Sequence, residues 1–149
     1  MTAAEARTLS QVGLVFDHHP LTAYATSKDL IAPSLVASVL ERGQAIAVSP
    51  LVLAEAYCGL DHSEADVLDL LTGGALAAAL IVEPFDGDTA RLLGRDSAPT
   101  LGNTGGGHRP TLATLHTAQL AVRHAAGVVT GEPAPLRALL GPDWPVLEV

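Results

Sequence analysis

Cysteine, lysine and aromatic residues are scarce in this sequence, and each shortage excludes a class of protein. Cys58 is the only cysteine, so no disulfide forms within the chain and a cysteine-based zinc site has too few thiols. Aromatic residues make up 3% of the chain, too few for a surface that stacks nucleic-acid bases. Lys28 is the only lysine, and 8 basic against 16 acidic side chains give a net charge of −8. This charge argues against a protein that coats nucleic acid or an anionic membrane.

Long apolar runs and targeting signals are absent from the sequence as well. No stretch approaches the roughly 18 apolar residues that a membrane-spanning helix needs, and the first residues lack the basic-then-apolar order of a signal peptide. The chain has 149 residues, of which 48% are hydrophobic, and this is enough to bury the core of one domain. We therefore expect a cytoplasmic protein with a loose N-terminal segment, residues 1–11, and a single domain over residues 12–149.

Short apolar runs alternate with helical patterns along the chain. The apolar runs predict strands at residues 12–16, 45–49, 80–83, 128–130 and 146–149. Apolar residues at three-and-four spacing predict helices at residues 34–42, 50–59, 63–73, 86–95, 111–126 and 133–140. A strand–helix–strand order favours parallel pairing through right-handed crossovers. The expected fold is therefore α/β, with three layers (α/β/α) around a central, mainly parallel sheet of four to five strands.

Three carboxylates follow the predicted strands. Asp17 comes directly after the first strand, Glu55 lies in the helix after the second, and Glu132 follows the fourth. Open α/β sheets bind their ligands outside the carboxyl ends of the strands. We therefore expect the three acids to face one crevice, where a cation would offset their mutual repulsion. Because carboxylate oxygens are the ligands of magnesium and manganese, the expected cofactor is Mg²⁺ or Mn²⁺.

Each of these acids also has a structural interpretation. Asp17 can cap the turn after the first strand, and Glu132 before Pro133 suits a helix N-terminus. Glu55 is harder to explain as a surface charge, because it lies within the apolar stretch LVLAEAYCGL. A shared metal site and separate structural roles both remain open at this point.

Histidines, arginines and glycines offer weaker candidates. His18, His19 and His116 lack an aligned HxxxH spacing and a cysteine partner, so solvated or hydrogen-bonded histidines are expected. Three cations either contact a phosphate backbone or serve as surface charges: Arg91, Arg95 and Arg109. The glycine-rich stretch 97–107 lacks the lysine of a phosphate-binding loop, and we expect it to be a flexible loop.

Four segments, taken in order, carry a family likeness. They are Asp17 after the first strand, Glu55 in SPLVLAEAYCGL, the stretch FDGDTARLLGR and the stretch TLHTAQLAVRHAAGVVTGE. The chain resembles the PIN domain over residues 12–149, and specifically the VapC-type toxins of bacterial toxin–antitoxin pairs. The third segment resembles the family's Asp-x-x-x-Ala-x-x-x-Gly segment and the fourth its signature DAHIAA…A…G…LVTRD. In that signature the histidine, glycine and threonine positions are taken by His116, Gly127 and Thr130.

The resemblance implies a metal-dependent endoribonuclease. In that family carboxylates hold Mg²⁺ or Mn²⁺, and a metal-bound water attacks an RNA phosphodiester. Asp17, Glu55 and Glu132 take the positions of the metal-binding and catalytic acids. The resemblance also implies a homodimer that is silenced by a cognate antitoxin, and an acidic surface would suit a basic segment of such a partner.

Three positions depart from the family pattern. The family's third acid falls at Thr114, which has no carboxylate, and the last acid is Glu132 in place of an aspartate. The serine or threonine that usually follows two residues after the first aspartate is His19. A site that has lost one ligand binds a divalent ion less tightly, although water can fill the position. The acids that the fold would have to bring close for compensation are Asp86, Asp88 and Asp96.

Two functions from different classes are therefore carried forward. The first is a ribonuclease whose activity is weakened by Thr114. The alternative is a catalytically degenerate PIN-like domain that acts as a protein- or RNA-binding module. The missing third acid is the observation that favours the alternative.

Overall fold

The structure is a computed structural model that describes residues 11–74, 76–102 and 110–149. Of the N-terminal segment expected to be loose, residues 1–10 lie outside the described residues. Among the helices in the described ranges, none is both long enough and apolar enough to cross a membrane.

The described residues contain five strands in one sheet. They are β1 (Val12–Phe16), β2 (Ala45–Val48), β3 (Leu80–Val82), β4 (Gly127–Thr130) and β5 (Val146–Glu148). Their order across the sheet is β3-β2-β1-β4-β5, and each neighbouring pair is parallel. The inner strands are largely buried, which is why they are near-continuous apolar runs in the sequence.

Helices connect the strands. In chain order they are α1 (His18–Thr26), α2 (Ile31–Glu41), α3 (Pro50–Cys58), α4 (His62–Thr72), α5 (Gly87–Gly102), α6 (Leu112–His124) and α7 (Pro133–Leu140). A short 3₁₀ helix, Ala77–Ala79, precedes β3. Each parallel pair of strands therefore has the helical crossover that it requires.

Two apolar clusters cover the two faces of the sheet. Phe16 and Ile46 belong to a cluster with residues of α1, α2, α3 and α4, whereas the adjacent Val15 and Ala47 pack with residues of α6 and α7. Successive strand residues point to opposite faces, so neighbouring residues enter different clusters. The sheet is thus the middle of three layers, and the expected α/β fold with a parallel sheet is confirmed.

Helix α1 begins on residues that the sequence pattern treats as an interruption. The Asp17 side chain accepts a hydrogen bond from the His18 amide and caps the helix. Pro20 lies in the first turn, where a backbone amide has no partner within the helix in any case. The sequence pattern predicts no helix between residues 16 and 34, and this is wrong, because the histidines lie at the N-terminus of α1.

The region after β3 also differs from the sequence prediction. Helix α5 runs to Gly102, so residues 97–102 are helical where a loop is expected. The rest of that stretch, residues 103–107, lies outside the described residues. With 16 residues, α5 is longer than α6, which has 13 and begins and ends inside the predicted residues 111–126.

A capping box fixes the start of α4. Asp61 accepts from the Glu64 amide at 2.9 Å, and the Glu64 carboxylate accepts from the Asp61 amide at 2.9 Å. Two amides of the helix terminus are satisfied reciprocally in this arrangement. The helix therefore starts one residue earlier than the Ser63 expected from the sequence.

We predict that Asp61→Ala lowers the midpoint temperature of unfolding by about 3 °C, because the first turn of α4 loses its acceptor. Circular dichroism during heating measures this change. Asp66→Ala, at an exposed position of the same helix, is the control and is expected to lower the midpoint by less than about 1 °C. Equal losses in the two variants would contradict the assigned cap.

Candidate metal centre

Asp17 lies where the order of the sheet reverses, between β1 and β4. Its amide donates to the Val129 carbonyl oxygen of β4 at 2.9 Å, and the residue is only 7% exposed. The carboxylate Oδ1 accepts from the His18 amide at 2.8 Å, and Oδ2 accepts from the Thr130 hydroxyl at 2.8 Å. Since a carboxylate has about four acceptor positions, both oxygens retain capacity for a cation.

The Thr130 hydroxyl links Asp17 to the start of α7. It is fully buried, donates to Asp17 and accepts from the Glu132 amide at 3.1 Å. Glu132 occupies the cap position of α7, but its side chain makes no capping hydrogen bond and the residue is exposed. The backbone of Glu132 is therefore tied to Asp17, while its carboxylate remains in solvent.

His18 lies between two of the predicted acids. Its Nδ1 is 3.4 Å from Asp17 Oδ1 and 3.7 Å from Glu55 Oε2. Glu55 projects from α3, and its side chain is 48% exposed. The structure therefore brings Asp17 and Glu55 to one imidazole from two different elements.

The His19 ring packs against Gly131, the residue after Thr130. A Cβ atom at Gly131 would lie 2.6 Å from His19 Cδ2 and 2.8 Å from His19 Cβ, closer than non-bonded carbon atoms approach. The rings of His18 and His19 have their centroids 4.0 Å apart. Within the described residues, His19 Nδ1 is buried and has no hydrogen-bond partner.

Asp17, His18 and His19 together form a group of metal-ligand type. In the ranges that the structure describes, one donor atom from each lies within 4.8 Å of the other two. An aspartate and two imidazoles are donors that divalent transition ions accept. The sequence does not predict this group, because the histidines lack HxxxH spacing and are expected to be solvated or hydrogen-bonded. The available signal was three consecutive ligand-type residues directly after a buried strand.

Thr114, at the position of the family's third acid, has a local structural role. It is the third residue of α6, and its amide donates to the Oγ1 of Thr111, which caps the helix, at 3.2 Å. The two threonine hydroxyl oxygens lie 3.0 Å apart. Position 114 therefore supplies a hydroxyl within the first turn of α6 and no carboxylate.

The acids named as replacements for the missing ligand have other roles. Asp86 accepts from an amide in the first turn of α5, and Asp88 pairs with Arg91 at 3.3 Å. Asp96 lines a groove between α5 and α6. Within the described residues, none of them belongs to the group around Asp17, so compensation by these acids is not observed.

Two of the three arginines expected to contact RNA lie within the described residues. Arg91 and Arg95 are exposed on α5, and Arg91 has Asp88 as its ion-pair partner. Arg109 lies outside the described residues.

A buried hydrogen bond positions the helix that carries Glu55. His116 on α6 is 1% exposed, and its Nδ1 lies 2.6 Å from the hydroxyl oxygen of Ser49. Ser49 caps α3 by accepting from the Leu51 amide at 3.2 Å. The rings of Phe85 and His116 form a T-shaped pair, with centroids 4.9 Å apart. Burial lowers the pKa of His116 below its ordinary value, which favours the neutral ring at neutral pH.

We predict that Gly131→Ala lowers the free energy of unfolding by about 1–3 kcal/mol, because the added methyl group collides with the His19 ring. In a His19→Ala background the same substitution costs less, since the ring is gone. Urea unfolding of the parent, both single variants and the double variant gives the coupling energy, which is expected to exceed about 0.5 kcal/mol. A coupling energy near zero would show that the two residues do not meet.

The buried His116 also makes stability depend on pH. Because its pKa is lower in the folded chain than in the unfolded chain, the unfolded state binds more protons, and stability falls as the pH drops below about 6.5. We predict that this loss between about pH 7.5 and about pH 5.5 is smaller in His116→Gln than in the parent. Thermal unfolding at both pH values measures the difference within each protein. His62→Gln, at an exposed histidine, is expected to retain the parent's pH dependence, and the same behaviour in His116→Gln would refute this assignment.

Comparisons with known proteins identify a fold and no more. No family model matches the chain, and no curated protein matches it. Among solved structures, the chain is similar to one chain in the crystal structure of VapBC2 from Rickettsia felis, a complex that is bound there to a DNA fragment from its promoter. The TM-score is 0.65 at 16% sequence identity, and the match covers 91% of this chain and 97% of the other. The expected resemblance to a VapC-type PIN domain is thereby confirmed as a likeness of fold.

Proposed function

We propose that this chain is a PIN-like domain with metal-dependent endoribonuclease activity toward RNA phosphodiesters. The observation that supports this proposal is the buried Asp17 carboxylate at the β1/β4 edge, which accepts hydrogen bonds from His18 and Thr130 and adjoins the His18 ring, itself 3.7 Å from Glu55. The edge at which strand order reverses is where open α/β sheets bind ligands. Acidic groups at that edge suit the binding of a cation and, through it, of a phosphate.

The residues at this edge fit a divalent ion. Asp17 retains acceptor capacity, and the buried Nδ1 of His19 has no partner within the described residues. Asp17, Glu55 and Glu132 would hold the ion through carboxylate oxygens, with His18 and His19 beside Asp17 as additional donors. The proposed ion is Mg²⁺ or Mn²⁺. Such an ion lowers the pKa of a water and offsets negative charge on a phosphate.

The chain's own residues orient this site and require no side-chain nucleophile. Thr130 fixes the Asp17 carboxylate, and His18 contacts both Asp17 and Glu55. Exposed Arg95 is the proposed contact for a flanking phosphate, together with Arg91 when RNA replaces its partner Asp88. We extend the same proposal to Arg109.

The proposed partner is an antitoxin-like protein with a basic segment. The structural neighbour is itself part of a VapBC2 complex, and this chain carries a net charge of −8, which favours a basic partner. A groove of about 530 Å³ between α5 and α6, lined in part by Leu92, Leu115 and Val122, offers apolar surface beside Asp96. We also propose that the chain forms a homodimer.

We predict that Asp17→Asn lowers RNA cleavage in Mn²⁺ by about 100-fold or more, because a neutral amide is a poor ligand for the ion. Asparagine is as good a helix cap as aspartate, so α1 is expected to remain intact. Cleavage of a fluorogenic single-stranded RNA measures the rate. Asp61→Asn, at the matching cap position of α4, is the control and should cleave at the parent's rate. Equal rates for Asp17→Asn and the parent would remove Asp17 from the mechanism.

A binding module without catalysis is the second candidate, favoured by the hydroxyl of Thr114 where the family has an acid. Under the leading proposal, Thr114→Asp raises Mn²⁺ affinity by about tenfold, since it restores a carboxylate ligand. The third position of a helix accepts acidic residues, so α6 should tolerate the change. Calorimetric titration measures the affinity. An unchanged affinity would contradict the proposed crevice and favour the binding module.

A further inference from the structure

Two imidazoles beside Asp17 are a feature that a carboxylate site for Mg²⁺ does not need. His18 and His19 each offer a ring nitrogen within 4.8 Å of an Asp17 oxygen and of each other. An ion with bonds of about 2.0–2.2 Å holds its donors roughly 3–4 Å apart, so small side-chain rotations bring the three into range. The first turn of α1 thus presents three donors from consecutive residues.

The environment of His19 is a second, independent observation. Its Nδ1 is buried and has no hydrogen-bond partner among the described residues. A buried polar atom without a partner is unfavourable, and native proteins rarely leave one without a ligand, an ion or a water. The ring can lie there because Gly131 has no Cβ, which would otherwise be 2.6 Å from His19 Cδ2.

We propose that Asp17, His18 and His19 bind a first-row transition ion of the Mn²⁺, Co²⁺ and Zn²⁺ class in preference to Mg²⁺. Imidazole nitrogen is a good ligand for these ions, whereas Mg²⁺ selects oxygen ligands and retains its waters. Glu55, whose Oε2 lies 3.7 Å from His18 Nδ1, adds a negative charge beside the proposed ion. This inference rests on the proposed function only in that both place a divalent ion beside Asp17.

A different role for His18 predicts the opposite result. A protonated His18 between Asp17 and Glu55 would itself offset their charges and occupy the place of the ion. Removing the ring would then raise the affinity for every divalent ion. Removing a ligand lowers the affinity for transition ions and leaves Mg²⁺ binding, which depends on carboxylates, little changed.

The test is calorimetric titration of the full chain with Co²⁺ and, separately, with Mg²⁺. We expect the parent to bind Co²⁺ more tightly than Mg²⁺. His18→Ala and His19→Ala should each lower Co²⁺ affinity by at least about tenfold, because mutating even a residue that only hydrogen-bonds to a metal ligand costs that much affinity. Their Mg²⁺ affinity should change by less than about twofold. His62→Ala, at an exposed histidine outside the group, is the matched control and should bind both ions like the parent.

The opposite results would overturn the proposal. Co²⁺ affinity equal to the parent's in both histidine variants excludes them as ligands. Increased Mg²⁺ affinity in His18→Ala would show that the His18 ring occupies the place of the ion and is not a ligand. Equal affinity of the parent for Co²⁺ and Mg²⁺ removes the claimed preference.

A measurement on the parent protein avoids any effect of the variants on folding. The chain has 6 histidines, and NMR of ¹⁵N-labelled histidine during Zn²⁺ addition should shift the ring nitrogens of two of them, His18 and His19. No shift at either ring would contradict the proposal. RNA cleavage by a parent chain whose Co²⁺ affinity is unchanged in both histidine variants would leave the proposed function intact while the ion preference fails. Co²⁺ binding that depends on both histidines, in a chain that cleaves no RNA, would support the ion preference and contradict the proposed function.

Discussion

The hydrogen bond from the Thr130 hydroxyl to Asp17 Oδ2 is the constraint on which the candidate site depends. It joins residues 113 positions apart in the sequence and is buried, so it forms only when β1 and β4 are neighbours in the sheet. The same hydroxyl accepts from the Glu132 amide, and one side chain therefore sets the carboxyl ends of both strands. A buried carboxylate is costly without such donors. The two hydrogen bonds to Asp17 keep it in position and leave part of each oxygen available to a cation.

A second buried contact, between His116 and Ser49, affects the position of Glu55. His116 and Ser49 lie on α6 and at the start of α3, and their side chains meet 2.6 Å apart. The contact lies just beyond the end of β2, where the start of α6 meets α3: Ala113 belongs to the same apolar cluster as Val52 and Ala56. Ser49 caps the helix that carries Glu55, so this contact affects the site through the position of α3. Glu55 itself reaches Asp17 by way of the His18 ring.

The sequence predicts the sheet well because each inner strand is buried on both faces and therefore forms a compact apolar run. Asp17 follows from this pattern, since the residue after a central strand lies at the ligand-binding edge. The pattern does not predict α1, whose first turn contains His18, His19 and Pro20 and depends on a cap from Asp17. In an extended strand, His18 would instead point to the face opposite Asp17 and His19. The packing of His19 on Gly131 joins residues distant in the chain, and neither residue type alone indicates a contact.

The departures from the PIN pattern agree in their effect on the charge of the site. Thr114 removes one negative charge from the expected set of acids, and His19 places an imidazole where the family has a hydroxyl. Gly131, at the arginine position of the quoted signature, provides the space for that ring. A site with fewer carboxylates attracts Mg²⁺ less strongly, because Mg²⁺ gains little from nitrogen ligands and gives up water reluctantly. Imidazole ligands compensate only for ions that bind nitrogen well. In the proposed site, Thr114 and His19 therefore act in the same direction, and both favour an ion that binds nitrogen over Mg²⁺.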